Sequence, residues 1–88
     1  LVVCQWNFKL AVLLLNKGAA INLENADGNT FLHLATPYLN SQSAQFLFKK
    51  GANINAQNKN ENTPLHLAIY HSNGELALFL IKKGANIN

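Results

Sequence analysis

The segment Thr63-Pro64-Leu65-His66-Leu67-Ala68 repeats, with one change, the segment Thr30-Phe31-Leu32-His33-Leu34-Ala35 found 33 positions earlier. A second landmark keeps the same interval, because segments 16–22, 49–55 and 82–88 carry Gly18, Gly51 and Gly84 at matching places. A constant period of about 20–50 residues is typical of repeat proteins, in which each unit buries its apolar face against the next. The sequence therefore predicts a stack of three related units.

Both landmarks carry helix-boundary signals. Thr30 and Thr63 are suited to be helix N-caps, since a threonine hydroxyl accepts from free backbone N–H groups of the first turn. Pro64 follows at the first helical position, where it loses no hydrogen bond, and each landmark glycine suits the left-handed residue after a helix. Apolar residues at helical spacing fill the intervals. We predict inner helices at about 31–38 and 64–71, and outer helices at about 8–17, 42–50 and 75–83.

Three positions depart from the pattern. Pro37 disfavours helical geometry at the preceding residue and cannot donate a helical hydrogen bond, so the second inner helix is predicted to end early or kink. Glu61 occupies the place that Gly28 holds one unit earlier, and it is strained if that turn needs a positive φ. Residues 72–74 read Ser-Asn-Gly, which predicts a tight turn between the last two helices.

Composition limits the class of protein. The chain has 88 residues, of which 49% are hydrophobic and 12% charged, which predicts one folded domain rather than disorder. A net charge of +3 is a mild excess and gives no nucleic-acid signature. The lysine pairs 49–50 and 82–83 lie at predicted helix C-termini, where cations complement the helix dipole.

The first residues are apolar but do not predict a signal peptide or a membrane span. Gln5, Asn7 and Lys9 interrupt the apolar run, and no basic segment or cleavage site accompanies it. Cys4 is the single cysteine of the sequence, so an internal disulfide cannot form, which fits a reducing compartment.

The motif at 63–68, followed by a helix that ends in Lys83-Gly84-Ala85, resembles the ankyrin repeat, and the resemblance covers the whole chain. It implies an all-α solenoid whose units each have a short inner helix, a tight turn, an outer helix and a β-hairpin finger. On this plan Leu1 aligns with Leu34 and Leu67, so a partial first repeat (about 1–24) precedes two fuller repeats with short hairpin fingers (about 25–57 and 58–88). We expect a fragment of a longer array, with further ankyrin repeats in the parent chain at both ends.

The residues predict neither catalysis nor metal binding. His33 and His66 lie one unit apart with no cluster of cysteine or acidic ligands around them. The resemblance implies a structural histidine that bonds to its own unit's threonine and to the adjacent loop. The four acidic residues form no close pair, and no glycine cluster precedes a Lys-Ser/Thr pair. We predict no enzyme, cofactor or nucleic-acid partner.

The resemblance also implies where a partner protein would bind: at the finger turns and on the exposed side of the inner helices. Tyr38 and Tyr70 suit recognition because tyrosine offers a large contact area with few rotatable bonds. Cys4 and Gln5 hold the matching places in the first repeat, while Trp6 is expected to pack over the turn between helices. The predicted contact residues are Glu24, Ala26, Asp27, Asn29, Pro37, Tyr38, Gln57, Lys59, Asn60, Asn62, Tyr70 and His71.

Three functions fit these observations. The leading interpretation is a non-catalytic scaffold that binds one or a few proteins. The alternative is a targeting or substrate-recruiting module of a larger protein, such as an enzyme, a channel, a ubiquitin-ligase adaptor or a pathogen effector. A spacer that binds nothing is the third. We expect an intracellular protein, cytoplasmic in the first instance, with the nucleus or a host cytosol as alternatives.

Overall fold

The structure, a computed structural model, describes residues 2–87, with side chains from residue 9 onward. Its helices are α1 (Val2–Asn16), α2 (Phe31–Ala35), α3 (Ser41–Lys49), α4 (Pro64–Tyr70) and α5 (Gly74–Lys82). Residues 2–87 contain no β-strand, so the predicted all-α class is confirmed. We call the pair α2–α3 the second unit and the pair α4–α5 the third unit; α1 precedes them.

The inner helices begin as predicted. The side chain of Thr30 accepts from the His33 backbone N–H, and the His33 side chain accepts in return from the Thr30 backbone N–H. Thr63 and His66 form the same reciprocal pair at the start of α4, where Pro64 is the first helical residue. Two otherwise free backbone donors are thereby satisfied at each helix start.

The outer helices end as predicted. Gly51 has a φ of 92°, and its N–H donates to Phe48 O at 3.0 Å, while Ala52 N donates to Leu47 O at 3.1 Å. Gly18 and Gly84 have φ values of 97° and 92° and close α1 and α5 with the same pair of bonds. Glycine tolerates this left-handed conformation because it has no Cβ.

The irregular positions behave largely as expected. α2 ends at Ala35, two residues before Pro37, whereas α4 continues to Tyr70, where no proline intervenes. Glu61 has a φ of 65°, which confirms the strained finger turn. The turn between α4 and α5 is present, but Ser72 takes the left-handed conformation, with a φ of 59°, and Gly74 begins the helix.

One prediction about local structure is wrong. An inner helix that ends before an outer helix at 8–17 was expected in the first unit, but α1 runs unbroken from Val2 to Asn16. No proline or glycine lies in residues 1–16 to break the helix, whereas Pro37 and the 72–74 turn do so in later units. The predicted hairpin fingers are present as tight turns without strands, in which Asn25 N donates to Asn29 O and Asn58 N donates to Asn62 O, both at 3.0 Å.

The core lies between the two helices of the third unit and between equivalent helices of successive units. α2 packs on α4, α3 packs on α5, and α4 packs on α5, which produces a linear stack. Leu47, Leu76 and Leu80 are at most 1% exposed, and each contributes roughly 2–3 kcal/mol by burial. Ala68 is fully buried, so its small side chain lets the helices approach closely. Within residues 2–87 no helix combines the length and apolar character needed to cross a membrane.

Candidate protein-interaction face

Each finger turn is built around one asparagine. Asn25 Oδ1 accepts from the backbone N–H groups of Asp27 and Asn29, both at 3.0 Å. Asn58 repeats this arrangement with residues 60 and 62, at 2.9 and 3.0 Å. An asparagine side chain that bonds to the backbone ahead of it mimics a backbone turn. The fingers are therefore rigid loops whose shape is set by their own sequence.

Neighbouring fingers are bonded to each other. Lys59 N donates to Asp27 O at 3.0 Å, and Asn58 Nδ2 donates to Asn29 Oδ1 at 2.8 Å. The approach is close at Gly28, where an added Cβ would lie 3.0 Å from Lys59 N. The spacing of the fingers is thus fixed by backbone contacts, and their outward side chains keep fixed relative positions.

His33 connects an inner helix to the next finger. Its Nδ1 accepts from Thr30 N at 3.0 Å, so the ring proton is on Nε2, which donates to Asn62 O at 2.9 Å. The side chain is almost fully buried. This geometry confirms the structural role that the resemblance implied. His66 repeats the bond to its own threonine, at 2.9 Å, but is exposed on its other side.

Asparagines in the loops after the outer helices form a second ladder. Asn22 Oδ1 accepts from Asn53 N at 2.8 Å, and Asn22 Nδ2 donates to Gly51 O at 3.0 Å. One unit later, Asn55 Oδ1 accepts from Asn86 N at 2.8 Å. The repeated Ile-Asn segments helped to reveal the period of the sequence. That their asparagine side chains bond to the backbone of the next unit was not predicted.

The predicted contact residues all lie at the surface. Tyr38 and Tyr70 are 56% and 80% exposed, and His71 lies beside Tyr70 with the two ring centroids 5.1 Å apart and the planes at 79°. Three members are half-buried: Pro37 in the turn after α2, and Asn29 and Asn62, which take part in the finger bonds. The exposed finger residues of the set are Glu24, Ala26, Asp27, Gln57, Lys59 and Asn60. Cys4, Gln5 and Trp6 lie outside the described side chains.

The surface formed by the finger turns and the C-terminal ends of α2 and α4 is called the partner face below. Its charged groups are the carboxylates of Glu24, Asp27 and Glu61 and the ammonium of Lys59. Aromatic rings, amides and scattered charges of this kind can bind a protein surface. Among the described side chains, no three histidine, cysteine, aspartate or glutamate residues are grouped so that they could hold a metal ion.

Comparison with known proteins agrees with this architecture. A family model of ankyrin repeats, in three copies, matches residues 1–88. The comparison with curated proteins gives no match. Ankyrin repeats are generally protein–protein interaction modules, and the repeat fold itself is not catalytic.

Proposed function

Because the chain belongs to the ankyrin repeat family, we propose that it is a non-catalytic scaffold that binds a protein partner on the partner face. The observation that supports this most is the exposure of Tyr38, which is 56% accessible although it belongs to the second unit, which the third unit covers. Large aromatic side chains on a rigid frame are typical of residues that dominate binding energy.

The rigidity of the partner face supports the same proposal. The finger turns are bonded to each other and to α2, so few conformations are lost when a partner binds. Binding to a preorganised surface avoids much of the entropic cost of ordering loops. The exposed side chains of the fingers, rather than their backbone, would then determine which partner is recognised.

We also propose that a further ankyrin repeat packs against the third unit, on the C-terminal side of the stack. Ile69 and Ile87 of the third unit are 63% and 72% exposed, whereas Thr36 and Ile54, their counterparts 33 residues earlier, are 0% and 8% exposed. The second unit differs because the third unit covers it. The two histidines show the same contrast. His33 donates to a carbonyl of the following unit, whereas its counterpart His66 lies in the third unit and is exposed. A following repeat would cover this end and supply that carbonyl.

The N-terminal side supports the same extension. Leu14 is half-exposed, whereas its counterpart Leu47 is buried in the core. An open apolar groove of about 210 Å³ lies beside α1, lined by residues that include Leu15, Ile21 and Phe31. An inner helix of the type of α2 would fill it. The predicted repeat boundaries 1–24, 25–57 and 58–88 remain part of the proposal.

The module would serve in the cytoplasm, where a lone thiol such as that of Cys4 stays reduced. The same module could instead recruit a target or substrate for an activity elsewhere in its parent protein. The full-length open reading frame separates these two functions, since it shows whether a catalytic, channel or ligase-adaptor domain is present.

The test is affinity capture with the full-length protein followed by mass spectrometry, and then affinity measurements with the protein recovered. Tyr70→Ala is expected to weaken binding by roughly 30-fold, the effect of losing a residue worth about 2 kcal/mol. Leu78→Ala is the matched control, because Leu78 is also exposed but belongs to an outer helix.

Tyr38→Ala provides a second variant on the same face. Far-UV circular dichroism should show unchanged helix content in all variants, since each removes an exposed side chain. If both tyrosine variants bind as tightly as the original chain, the partner site lies elsewhere. If the intact array captures nothing, the spacer interpretation replaces the scaffold.

A further inference from the structure

Five lysines lie at the C-terminal ends of the three outer helices. Each of α1, α3 and α5 is followed directly by one of them, and α3 and α5 also have a lysine as their last residue. All five side chains are exposed. We call this set the lysine edge; its members are Lys17, Lys49, Lys50, Lys82 and Lys83.

The lysine edge forms a row along the stack. α3 and α5 pack side by side, and the loops that follow the outer helices are bonded from unit to unit. Asn22 bonds to Gly51 and Asn53, and Asn55 bonds to Asn86. Packed helices lie about 8–10 Å apart, which is close to one Debye length, about 8 Å, at physiological salt. The fields of neighbouring lysines therefore add in part, and more strongly at low salt.

The helix ends do not need these lysines as caps. Ala19, Ala52 and Ala85 each donate a backbone N–H to a terminal carbonyl of the preceding helix, at 2.9–3.1 Å. The dipoles place roughly −0.5 of a charge at each of the three helix ends, against five ammonium charges, so an excess of about +3.5 remains. The sequence predicted that these lysines complement the helix dipoles. The dipoles neutralise only the smaller part of the lysine charge.

Aromatic rings position two of the ammonium groups. Lys50 Nζ lies 5.6 Å from the ring centroid of Phe46. Lys83 Nζ lies 5.6 Å from the ring of Phe79 and 5.5 Å from that of Phe48, and so contacts both the second and the third units. These cation–π contacts hold charge on the edge in defined positions.

The carboxylates of the chain lie at other places. Glu24, Asp27 and Glu61 belong to the finger turns, and Glu75 belongs to the first turn of α5, at the opposite end of that helix. Glu75 also accepts from Ser41 N at 2.7 Å. The charges of the protein are therefore segregated, with the excess of cations on one row.

We propose that the lysine edge is a second interaction surface, separate from the partner face, and that it binds an acidic polypeptide segment. An extended chain advances about 3.3 Å per residue, so every third aspartate or glutamate would meet one unit of the stack. A segment of about seven residues would span all three units. The rings beside the edge are half-buried, so they offer no open platform on which the bases of a single-stranded nucleic acid could stack.

The test measures the affinity of a fluorescent polyglutamate peptide of about 12 residues by anisotropy, at low and at physiological salt. The double variant Lys49→Gln and Lys82→Gln should bind about tenfold more weakly, the loss of two exposed ion pairs. The control is the double variant Lys9→Gln and Lys59→Gln, which removes the same net charge away from the edge and should lose less than about twofold.

Equal losses in the two double variants would overturn the proposal, because they would show a response to net charge alone. Binding that does not weaken with salt would overturn it as well. Tighter binding of a single-stranded oligonucleotide or of anionic vesicles than of the peptide would show that the partner class is wrong. Tyr70→Ala should leave peptide binding unchanged, so this result is independent of the partner face.

Discussion

Asn73 is predicted to be the main polar link between the second and third units. It caps α5, where its Oδ1 accepts from Leu76 N at 3.1 Å, and its Nδ2 donates to Thr36 O and Leu39 O, both at 2.8 Å. Asn40 lies 33 residues earlier and caps α3, but its side-chain bonds are all to Ser43 of its own unit. Asparagine is therefore the N-cap of both outer helices. Of these two asparagines, Asn73 bonds to a neighbouring unit and Asn40 does not.

The comparison of Asn73→Ala with Asn40→Ala isolates that connection. Loss of an N-cap costs about 1 kcal/mol, which is the whole effect expected for Asn40→Ala. Asn73→Ala also leaves two carbonyls without a donor, and the residues that carry them are 0% and 4% exposed. Each such carbonyl costs about 1–3 kcal/mol. We expect Asn73→Ala to lower the free energy of unfolding by about 3–7 kcal/mol, at least about 2 kcal/mol more than its control.

Urea denaturation followed by far-UV circular dichroism measures both free energies. Asn73→Asp is a useful third variant, because it keeps the cap acceptor and removes both donors, so it should be more stable than Asn73→Ala by no more than about 1 kcal/mol and well below the original chain. The reasoning is refuted if Asn73→Ala and Asn40→Ala agree within about 0.5 kcal/mol, or if Asn73→Asp is as stable as the original chain.

Three further predictions test other parts of the fold. His33→Ala should cost about 3 kcal/mol and His66→Ala about 1 kcal/mol, because only the first is buried and bonded to the next finger; equal losses in urea titrations would contradict this. Gly28→Ala should cost about 2–3 kcal/mol, since a φ of 77° and a Cβ 3.0 Å from the neighbouring finger both oppose it; calorimetry showing an unchanged Tm would disprove that contact. Two hydrogen bonds from Ser41, the larger effect from its backbone N–H and the smaller from its side chain, hold the pKa of Glu75 below its ordinary value of 4.5. The ionised Glu75 therefore stabilises the fold above pH 4.5, and this stabilisation is lost as the pH falls through the lowered pKa. The difference in stability between the original chain and Glu75→Gln should accordingly shrink as the pH falls from above 4.5 through the lowered pKa, and a constant difference would exclude this effect.

Much of the fold could be predicted because its signals are local. A threonine cap, a glycine C-terminus and a proline each act within a few residues, so Thr63, Gly51 and Pro37 showed their roles in sequence. The period of 33 then placed these signals in register. Because these signals are local, the predicted bounds of the outer helices α3 and α5 are each only one residue too late.

The features that sequence reasoning missed depend on contacts between units. Asn40 and Asn73 look equivalent in sequence, and only the approach of α5 to the second unit gives Asn73 its two carbonyls. The bond from Glu75 to Ser41 joins residues 34 positions apart and has no local signal. The unbroken α1 was missed because the prediction carried over a turn from later units, although the residues that cause the turn are absent from the first.

The partner face was predicted mainly from the alignment of the repeats, and the choice of Tyr38 and Tyr70 within it from the contact area that tyrosine offers. Leu78 is also exposed but lies on an outer helix, away from that face. The sequence could not show that Asn29 and Asn62 are half-buried in finger bonds, which makes them less available to a partner than the exposed finger residues.

Amide hydrogen exchange of the chain, measured with and without the captured partner at saturating concentration, tests the proposed partner face most directly. We predict slower exchange at the finger turns, residues 25–29 and 58–62, and at Tyr38, Tyr70 and His71, with little change in the outer helices α3 and α5. Protection confined to α3 and α5, with the finger turns and the ends of α2 and α4 unaffected, would contradict the account.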